Sequence, residues 1–596
     1  MDLDAHLESG HGPLKELETM RRSLRFGIGL VGFVSILCGT LVGACGGSGG
    51  GNGPDGGDGG GTKPDTGGHP RDGGVDGTTK IDTGSGDTGL NFGDQQISTD
   101  GAQASPIPTT CVDSITRHSY IGCDYWPTVT VNPVYSMFDY AVAVSNPQSG
   151  PATITVSGGA LTAVKMVTIP PTSVQTINLP WVPALKGPDF AQSTAVSDPG
   201  PSRIVVGGGY HLTSDVPVSV YQFNALEYEI EAGAPCPGYG EAGAGAHCYS
   251  YSNDASLLLP TNVLTGNYGV LAWPSFGATP GFLSVTATVD NTHVTVNPTG
   301  RVQGVPDAGP SFLSRGDRYT YSLNKGDVLE MFSDVGDVNH AVYNQDLSGT
   351  IIQADQAVMA FGGHYCTYIP YDKKACDHLE TSLFPIETLG TEYIVSLPHT
   401  PHGEHQWVRI LGLYDNTKVV FDPPVSGRNG AIINTGEVLE LPDVASSFAI
   451  LADGKVFVTQ YMLGEYDTVP DGGTPTPDLG DPSESAAITL TQYRSSYTFL
   501  APQTYTENWI DVLAPVGASV KLDGVAIPAA SYTKVGAQPF AVAHQLLSST
   551  GSQGHSIDSA TPFGLVVYGY GSRTSYMYPG GLDLRVVAVK PPPLPK

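Results

Sequence analysis

Basic side chains are scarce in this sequence. Its 596 residues include 28 Lys and Arg against 57 Asp and Glu, which gives a formal net charge of −29. A surface with such an excess of negative charge repels phosphate groups, so the composition argues against binding to nucleic acid. Charged residues of both signs make up only 14% of the chain, compared with roughly 25% in an average soluble domain.

Motifs of common catalytic sites are also missing. Gly-x-Ser-x-Gly, His-Glu-x-x-His, Ser-x-x-Lys and phosphate-binding glycine loops do not occur in a recognisable context. The chain has no Cys-x-x-Cys spacing, which argues against a zinc site. We therefore expect neither enzymatic activity nor a cofactor.

Glycine and proline are abundant, with 76 and 47 residues. This composition opposes long helices and favours many short strands joined by turns. The sequence therefore predicts an all-β fold.

The N-terminal region has the form of a secretory signal. Arg21, Arg22 and Arg25 precede an uncharged apolar run over residues 26–44. The run ends in Leu41-Val42-Gly43-Ala44-Cys45, which resembles the lipobox of bacterial lipoproteins and implies cleavage before Cys45 and lipidation of its sulfur. The polar residues 1–19 do not fit a signal sequence, so we expect translation to start at Met20.

The alternative is that residues 26–44 form an uncleaved transmembrane helix, since such a run is long enough to span a bilayer. With lipidation, the predicted location is the bacterial cell envelope. Gly46 after Cys45 favours the outer membrane. Residues 45–110 are rich in glycine and aspartate and predict a disordered spacer between the membrane and the folded region.

Six further cysteines fall into three pairs that are close in sequence. The pairs are Cys111/Cys123, Cys236/Cys248 and Cys366/Cys376. In an exported protein this spacing predicts three local disulfides, with zinc as the competing interpretation.

A strand–turn–strand pattern recurs four times after residue 110. Alternating apolar residues flank Asp290-Asn291-Thr292 and again Asp415-Asn416-Thr417, with weaker copies near Pro147 and Val516. We interpret each copy as an antiparallel hairpin. The repeats predict four β-sandwich modules, with a β-propeller as the alternative. The predicted modules comprise residues 111–250, 251–378, 379–480 and 481–596.

Several phrases resemble the N-terminal domain of the IgGFc-binding protein family, over about residues 115–590. The most specific is Cys376-Asp377-His378-Leu379-Glu380, which follows Gly362-Gly363-His364-Tyr365-Cys366. Ser256-Leu257-Leu258-Leu259-Pro260 and Tyr568-Gly569-Tyr570-Gly571-Ser572 also match. The resemblance implies an extracellular binding or adhesive region without enzymatic activity. Fc binding is part of the family's name and is not an activity that we expect from the resemblance.

Four features leave alternatives open. His399, His402 and His405 are a metal site or a histidine-containing loop. Asp377 and His378 are a catalytic dyad or a hydrogen-bonded turn, and the two Asp-Asn-Thr sequences are calcium sites or plain turns. Clustered tyrosines serve recognition or packing at module junctions. The clustered tyrosines are Tyr249, Tyr251, Tyr365, Tyr368, Tyr371, Tyr568, Tyr570, Tyr576 and Tyr578.

Taken together, these patterns predict a lipid-anchored surface protein. It would bind or adhere to an extracellular protein or glycan, and its ligand-binding residues are not identified by the sequence. The alternatives are a carbohydrate-active envelope enzyme and a structural envelope protein.

Overall fold

The structure, a computed structural model, describes residues 106–190, 196–231, 247–335, 345–373, 375–400, 403, 405–464, 479–550 and 553–584. Within these ranges almost all regular structure is β-strand, which confirms the predicted all-β fold class. Residues Thr88–Lys596 form one compact unit. The predicted signal sequence, Cys45 and nearly all of the predicted spacer lie outside the described residues.

The first part of the chain, up to residue 258, contains two short helices and ten strands among its described residues. The elements are α1 (Cys111–Arg117), β1 (Gly122–Tyr125), β2 (Tyr140–Asn146), β3 (Ala152–Gly158), β4 (Lys165–Ile169), β5 (Ser173–Leu179), α2 (Pro183–Lys186), β6 (Arg203–Val205), β7 (Tyr210–Phe223), β8 (Glu229–Glu231), β9 (His247–Tyr249) and β10 (Ala255–Leu258).

The second part extends to residue 382. Its strands are β11 (Asn267–Gly269), β12 (Gly281–Ala287), β13 (Thr292–Asn297), β14 (Val302–Gln303), β15 (Phe312–Leu313), β16 (Tyr319–Leu323), β17 (Val328–Phe332), β18 (Ile351–Ala354), β19 (Val358–Thr367) and β20 (Asp377–Ser382).

Two further groups of strands complete the described chain. The third group is β21 (Gly390–Val395), β22 (Gln406–Gly412), β23 (Thr417–Asp422), β24 (Ala431–Ile433), β25 (Val438–Val444), β26 (Phe448–Met462) and β27 (Glu484–Ala486). The fourth group is β28 (Arg494–Leu500), β29 (Glu507–Pro515), β30 (Val520–Leu522), β31 (Val525–Ala526), β32 (Tyr532–Lys534), β33 (Phe540–Leu546), β34 (Gly554–Gly571) and β35 (Thr574–Pro579).

One long strand organises each group. In the first group β7 lies in the order β4-β3-β7-β2-β5, and β1 and β10 also pair with it. In the third group β26 lies in the order β24-β23-β26-β22-β25, with β21 and β27 added. In the fourth group β34 lies in the order β31-β30-β34-β29-β33-β32, with β28 and β35 added.

The second group divides the same arrangement between two strands. One sheet has the order β11-β18-β13-β16 and the other β20-β19-β12-β17-β6, so that β18 and β19 together take the place of one long strand. This recurrence agrees with a tandem of sandwiches. The exact module boundaries stay a prediction.

The four predicted hairpins are wrong as pairings, although each strand and turn exists. β12 pairs with β17 and β19, whereas β13 pairs with β16 and β18. Likewise β2 and β3 pair with successive stretches of β7 and not with each other. Each turn is therefore a corner at which the chain passes from one sheet to the other. The strands before and after the turn pair with different stretches of the same long strand, which contributes to both sheets; in the second group β19 and β18 take its place.

A buried tyrosine occupies the same position in every group. The hydroxyl of Tyr268 donates to the carbonyl of Val358 at 2.6 Å, and that of Tyr393 donates to the carbonyl of Val456 at 2.7 Å. The same hydroxyl accepts a hydrogen bond from the backbone N–H of the residue three positions earlier. In the third group, Gly390 N–H donates to the Tyr393 hydroxyl at 3.0 Å. The equivalent tyrosines in the first and fourth groups are Tyr125 and Tyr497.

The last strands of the four groups lie together in the interior. β10 contacts β20 and β35, and β27 contacts the same two strands. One apolar core passes through all four groups, and the third group adds a separate core between its own strands. Contacts between the groups therefore hold the fold together, in addition to the packing within each one.

Candidate functional site

The cysteine prediction is confirmed for two of its three pairs. Cys111 is bonded to Cys123, and Cys366 to Cys376. Cys248 is also disulfide-bonded, while its predicted partner Cys236 lies outside the described residues. The first observed disulfide joins α1 to β1, and the second joins β19 to the residue before β20.

Asp377 and His378 do not form a catalytic dyad. The Asp377 carboxylate accepts hydrogen bonds from the backbone N–H groups of Asn253 and His378 and from the hydroxyl of Thr574, at 2.7–2.9 Å. The His378 ring lies instead beside Glu380, with 3.9 Å between Nε2 and Oε2. The structure therefore favours the structural role, although both residues lie in strand β20 and not in a turn.

Glu380 is completely buried and fully hydrogen-bonded. Its carboxylate accepts from Thr130, Gln222 and Ser256 at 2.5, 2.7 and 2.8 Å. Burial by itself would raise the pKa of Glu380, but the nearby His378 and these donors hold the pKa below its usual value. A carboxylate satisfied in this way supports the fold and is not accessible to a ligand.

Asp254 joins the interior strands to one another. Its carboxylate accepts from the N–H of Glu380 at 2.9 Å and of Glu484 at 3.0 Å, and from the N–H of Met577 at 3.3 Å. The Ser483 hydroxyl donates to it at 2.8 Å. One buried side chain thus contacts β20, β27 and β35, strands that come from three different groups.

The two described members of the histidine run have other partners. The His399 ring packs against Trp509, with 3.9 Å between ring centroids, and the His405 ring hydrogen-bonds to Asp443. His402 lies outside the described residues. No cluster of three or more ligand side chains suited to a metal ion occurs in the part of the chain that the structure describes.

Both Asp-Asn-Thr sequences are turns. The Asp290 carboxylate accepts the N–H of Lys325 at 3.0 Å, and the Asp415 carboxylate accepts that of Thr435 at 3.1 Å. Asn291 has a φ of 57°, a conformation that asparagine tolerates. These contacts explain the acidic residues without an ion.

The clustered tyrosines are mainly packing residues. Five of them are buried, which leaves their rings unable to meet a large ligand: Tyr365, Tyr568, Tyr570, Tyr576 and Tyr578. Tyr249, Tyr251 and Tyr368 are partly buried. Tyr371 is 47% exposed. Tyr568 and Tyr570 illustrate packing between groups, since their hydroxyls hydrogen-bond to the backbone N–H and carbonyl of His399 at 2.8 and 2.7 Å.

A cleft between the first and fourth groups is the best candidate binding site among the described residues. Its volume is about 340 Å³, at the lower end of the range of roughly 300–1,000 Å³ found for ligand pockets. It is lined by Ile107, Tyr120, Ile121, Ser145, Pro147, Thr172, Ser219, Ser496, Tyr497, Thr498, Ser556, Ile557 and Asp558.

Strand register places the polar groups of the cleft on one wall. Ser496 and Thr498 of β28 lie opposite Asp558 and Ser556 of β34. Paired residues of an antiparallel ladder point to the same face, as do alternate residues of one strand. These four side chains therefore share a face.

The opposite wall comes from the first group. Ser145 of β2 lies opposite Ser219 of β7, so their side chains also share a face. The hydroxyl of Tyr221 crosses between the groups and donates to the carbonyls of Thr498 and Gly580 at 3.1 and 2.7 Å. This contact fixes the distance between the two walls.

Polar side chains in the cleft have few partners within the protein. The buried Ser145 Oγ makes no hydrogen bond to any described residue. No side-chain hydrogen bond to the described residues is formed by Ser496, Thr498, Ser556 or Asp558. Thr498 and Ser556 form hydrogen bonds only through their backbone atoms. Ser496 and Thr498 are partly buried and Asp558 and Ser556 are exposed, so these four side chains are accessible to a hydrogen-bonding ligand in the cleft.

Tyr120, which lines the cleft, is uncharged at neutral pH. Burial raises the pKa of Tyr120, and the nearby Arg494 only partly opposes this effect, so the phenol stays neutral at pH 7. The Arg494 guanidinium lies 5.1 Å from the centre of the Tyr120 ring. Arg494 also lies 3.8 Å from Asp583, which balances its charge.

Sequence reasoning did not find this cleft. The alternation Ser496-Tyr497-Thr498-Phe499 is visible in the sequence, but the same pattern is typical of any strand with one face in water. The opposite wall lies at least 277 residues earlier in the chain, the separation of Ser219 and Ser496. Only the fold brings the two walls together.

Comparisons with known proteins agree with the resemblance seen in the sequence. The model of the family described as IgGFc binding protein matches residues 254–569. The match covers more than half of the chain and reaches from the start of β10 to the end of β34. No curated protein sequence matches the chain. In the described residues there is no helix long and apolar enough to cross a membrane.

Proposed function

The chain belongs to the IgGFc binding protein family, and from this membership we propose that it is an extracellular binding protein attached to the bacterial envelope. Two disulfides formed between described cysteines support an oxidising location. In this proposal Cys45 carries the lipid anchor in the outer membrane, and residues 46–110 separate the folded region from the membrane. The ligand is an extracellular protein or glycan.

The cleft is the observation that carries a binding role. It places polar side chains from two distant parts of the sequence on facing walls, and the partly buried Ser496 and Thr498 have hydroxyls without partners among the described residues. The buried Glu380 carboxylate, in contrast, is satisfied by neighbouring side chains. Unmet hydrogen-bonding capacity next to apolar surface is what a small ligand requires.

The same cleft supports binding more than catalysis. Of its lining residues, Asp558 alone is ionisable as a carboxylate. Most glycosidases use two carboxyl groups, one as acid and one as base or nucleophile. Asp558 is therefore better suited to accept hydrogen bonds from a ligand.

A blocked variant tests the binding role. The full chain is immobilised and exposed to purified extracellular matrix proteins and to a glycan array. Ser496→Trp fills the cleft, and Thr533→Trp places the same side chain on an exposed strand position away from it. We expect at least one ligand to be retained by the unmodified chain and by Thr533→Trp, and lost in Ser496→Trp. If no retained ligand depends on the cleft, the proposal is wrong.

Anchoring has a separate test. Cys45→Ser removes the sulfur that would carry the lipid. We expect the unmodified protein to fractionate with membranes and the Cys45→Ser protein to fail to do so. A processed Cys45→Ser protein that stays in the membrane fraction would refute lipid anchoring without affecting the binding proposal.

A further inference from the structure

We propose that the cleft between β2/β7 and β28/β34 binds a short neutral saccharide, with Asp558, Ser496 and Thr498 hydrogen-bonding to it from the β28/β34 wall. This inference rests on the proposed binding function and names its ligand class.

The composition of the walls selects for a ligand rich in hydroxyl groups. Six of the lining side chains are hydroxyls of serine or threonine, namely Ser145, Thr172, Ser219, Ser496, Thr498 and Ser556. A hydroxyl both donates and accepts a hydrogen bond. A sugar hydroxyl has the same double capacity, so a set of this kind matches a saccharide at several positions at once.

A carboxylate completes this chemistry. Asp558 accepts hydrogen bonds through two oxygens and has no side-chain partner among the described residues. Hydrogen bonds to a charged acceptor are stronger than those between neutral groups. Asp558 can therefore accept from two neighbouring hydroxyls of one sugar ring, which a single serine cannot do.

The charge balance argues against an ionic ligand. Lys521 of β30 lies opposite Asp558 in the same ladder, so the two side chains share a face. One carboxylate and one ammonium group leave this part of the surface with no net charge. Asp558 would repel an anion and Lys521 would repel a cation, whereas neither side chain repels a neutral ligand.

Apolar groups in the same cleft match the other property of sugars. Ile107, Pro147 and Ile557 line it beside the hydroxyls. The C–H faces of a sugar ring can pack on such groups while its hydroxyls reach the walls. The cleft volume of about 340 Å³ limits the ligand to a short saccharide.

The test uses the full chain and a matched set of sugars. A neutral glycan array identifies a ligand, and calorimetric titration with cellobiose, lactose and maltose measures affinity. Glucosamine and glucuronic acid serve as cationic and anionic probes. We expect binding of a neutral sugar that exceeds binding of either charged probe.

Two pairs of variants locate the site. Asp558→Asn should weaken binding about tenfold or more, because a charged acceptor is lost. Ser496→Ala should weaken it about threefold to tenfold. The controls are Asp372→Asn, an exposed carboxylate without a partner among the described residues, and Ser284→Ala, a buried serine whose Oγ also makes no hydrogen bond to them. Neither control should change the affinity.

The outcomes separate this inference from the proposed function. Binding that depends on the cleft but goes only to proteins or to charged glycans would overturn the saccharide inference and leave the binding function standing. Neutral sugar binding that survives Asp558→Asn and Ser496→Ala would overturn the assigned site. Absence of any ligand that Ser496→Trp removes would overturn both.

Discussion

The interior around Asp254 and the cleft beside Ser145 contain similar polar residues in opposite states. Asp254 accepts hydrogen bonds from three strands, and Glu380 accepts from four side chains. Ser145, which is buried, and Asp558, which is exposed, form no side-chain hydrogen bond with any described residue. Burial alone therefore does not identify a functional group in this fold.

The difference shows how polar groups divide between stability and recognition. A satisfied buried carboxylate is costly to alter, because its donors lose their acceptor when it is removed. An unsatisfied hydroxyl contributes little to the fold and can be replaced at low cost. Mutations at the two regions should therefore have opposite consequences for stability and binding.

The largest effect is expected at Asp254. Asp254→Ala would leave the N–H groups of Glu380, Glu484 and Met577 without their acceptor in the interior. At about 1–3 kcal/mol for each unsatisfied group, we expect a loss of roughly 4 kcal/mol or more in the free energy of unfolding. Denaturant unfolding followed by tryptophan fluorescence measures it.

The matched control is Asp372→Ala, which removes an exposed carboxylate without a partner among the described residues. We expect its unfolding midpoint to equal that of the unmodified chain. Asp254→Asn provides a milder variant if Asp254→Ala is not secreted, because the amide oxygen can still accept from some donors. Equal midpoints for Asp254→Ala and Asp372→Ala would contradict the role assigned to Asp254.

An intermediate effect, dependent on pH, is expected at Glu380. Its pKa is lowered in the folded protein, so its contribution to stability is present above the unfolded pKa of about 4.3 and is lost as pH falls through the folded pKa. Glu380→Gln should be less stable than the unmodified chain at pH 7, and its stability should fall less on acidification. Unfolding midpoints between pH 7 and pH 3 measure this slope.

Glu392 should change the pH dependence of stability in the direction opposite to Glu380. Partial burial raises the pKa of Glu392, so its contribution is present below the unfolded pKa and is lost as pH rises through the folded pKa. Glu392→Gln should therefore remove a decline of stability between weakly acidic and neutral pH. If both variants changed the slope in the same direction, the assigned shifts would be wrong.

The smallest effect on stability is expected in the cleft. Ser145→Ala removes a buried hydroxyl that makes no hydrogen bond to the described residues, so the free energy of unfolding should stay unchanged or rise by about 1 kcal/mol. The same measurement on Ser284→Ala gives the reference for a buried serine far from the cleft. A loss of about 2 kcal/mol or more in Ser145→Ala alone would mean that its hydroxyl supports the fold.

Local patterns in the sequence predicted local features well. Alternation of apolar residues located strands such as β13, in which Val294 and Val296 are buried and His293 is exposed. The close cysteine pairs predicted the disulfides of Cys111 and Cys366 because short loops restrict the choice of partner. Turn residues such as Asn291 also predicted the positions of the corners, because the conformation of a turn depends on only a few neighbouring residues.

Long-range pairing could not be predicted in the same way. A strand–turn–strand pattern is identical for a hairpin and for a corner between sheets, and only the position of the long partner strand decides between them. The structural role of Asp254 could not be predicted from the sequence either, because its donors on β20, β27 and β35 follow it by more than 100 residues. The cleft was missed for the same physical reason.

Strand exchange between neighbouring groups has a consequence for cutting this protein into pieces. β10 follows the first predicted boundary at residue 250, yet it pairs with β7; β27 follows the boundary at 480, yet it pairs with β26. A fragment ended at either boundary would expose the bare edge of a long strand, which promotes aggregation. Gene fragments for expression, and natural duplications of one repeat, would have to carry each closing strand with the repeat that precedes it.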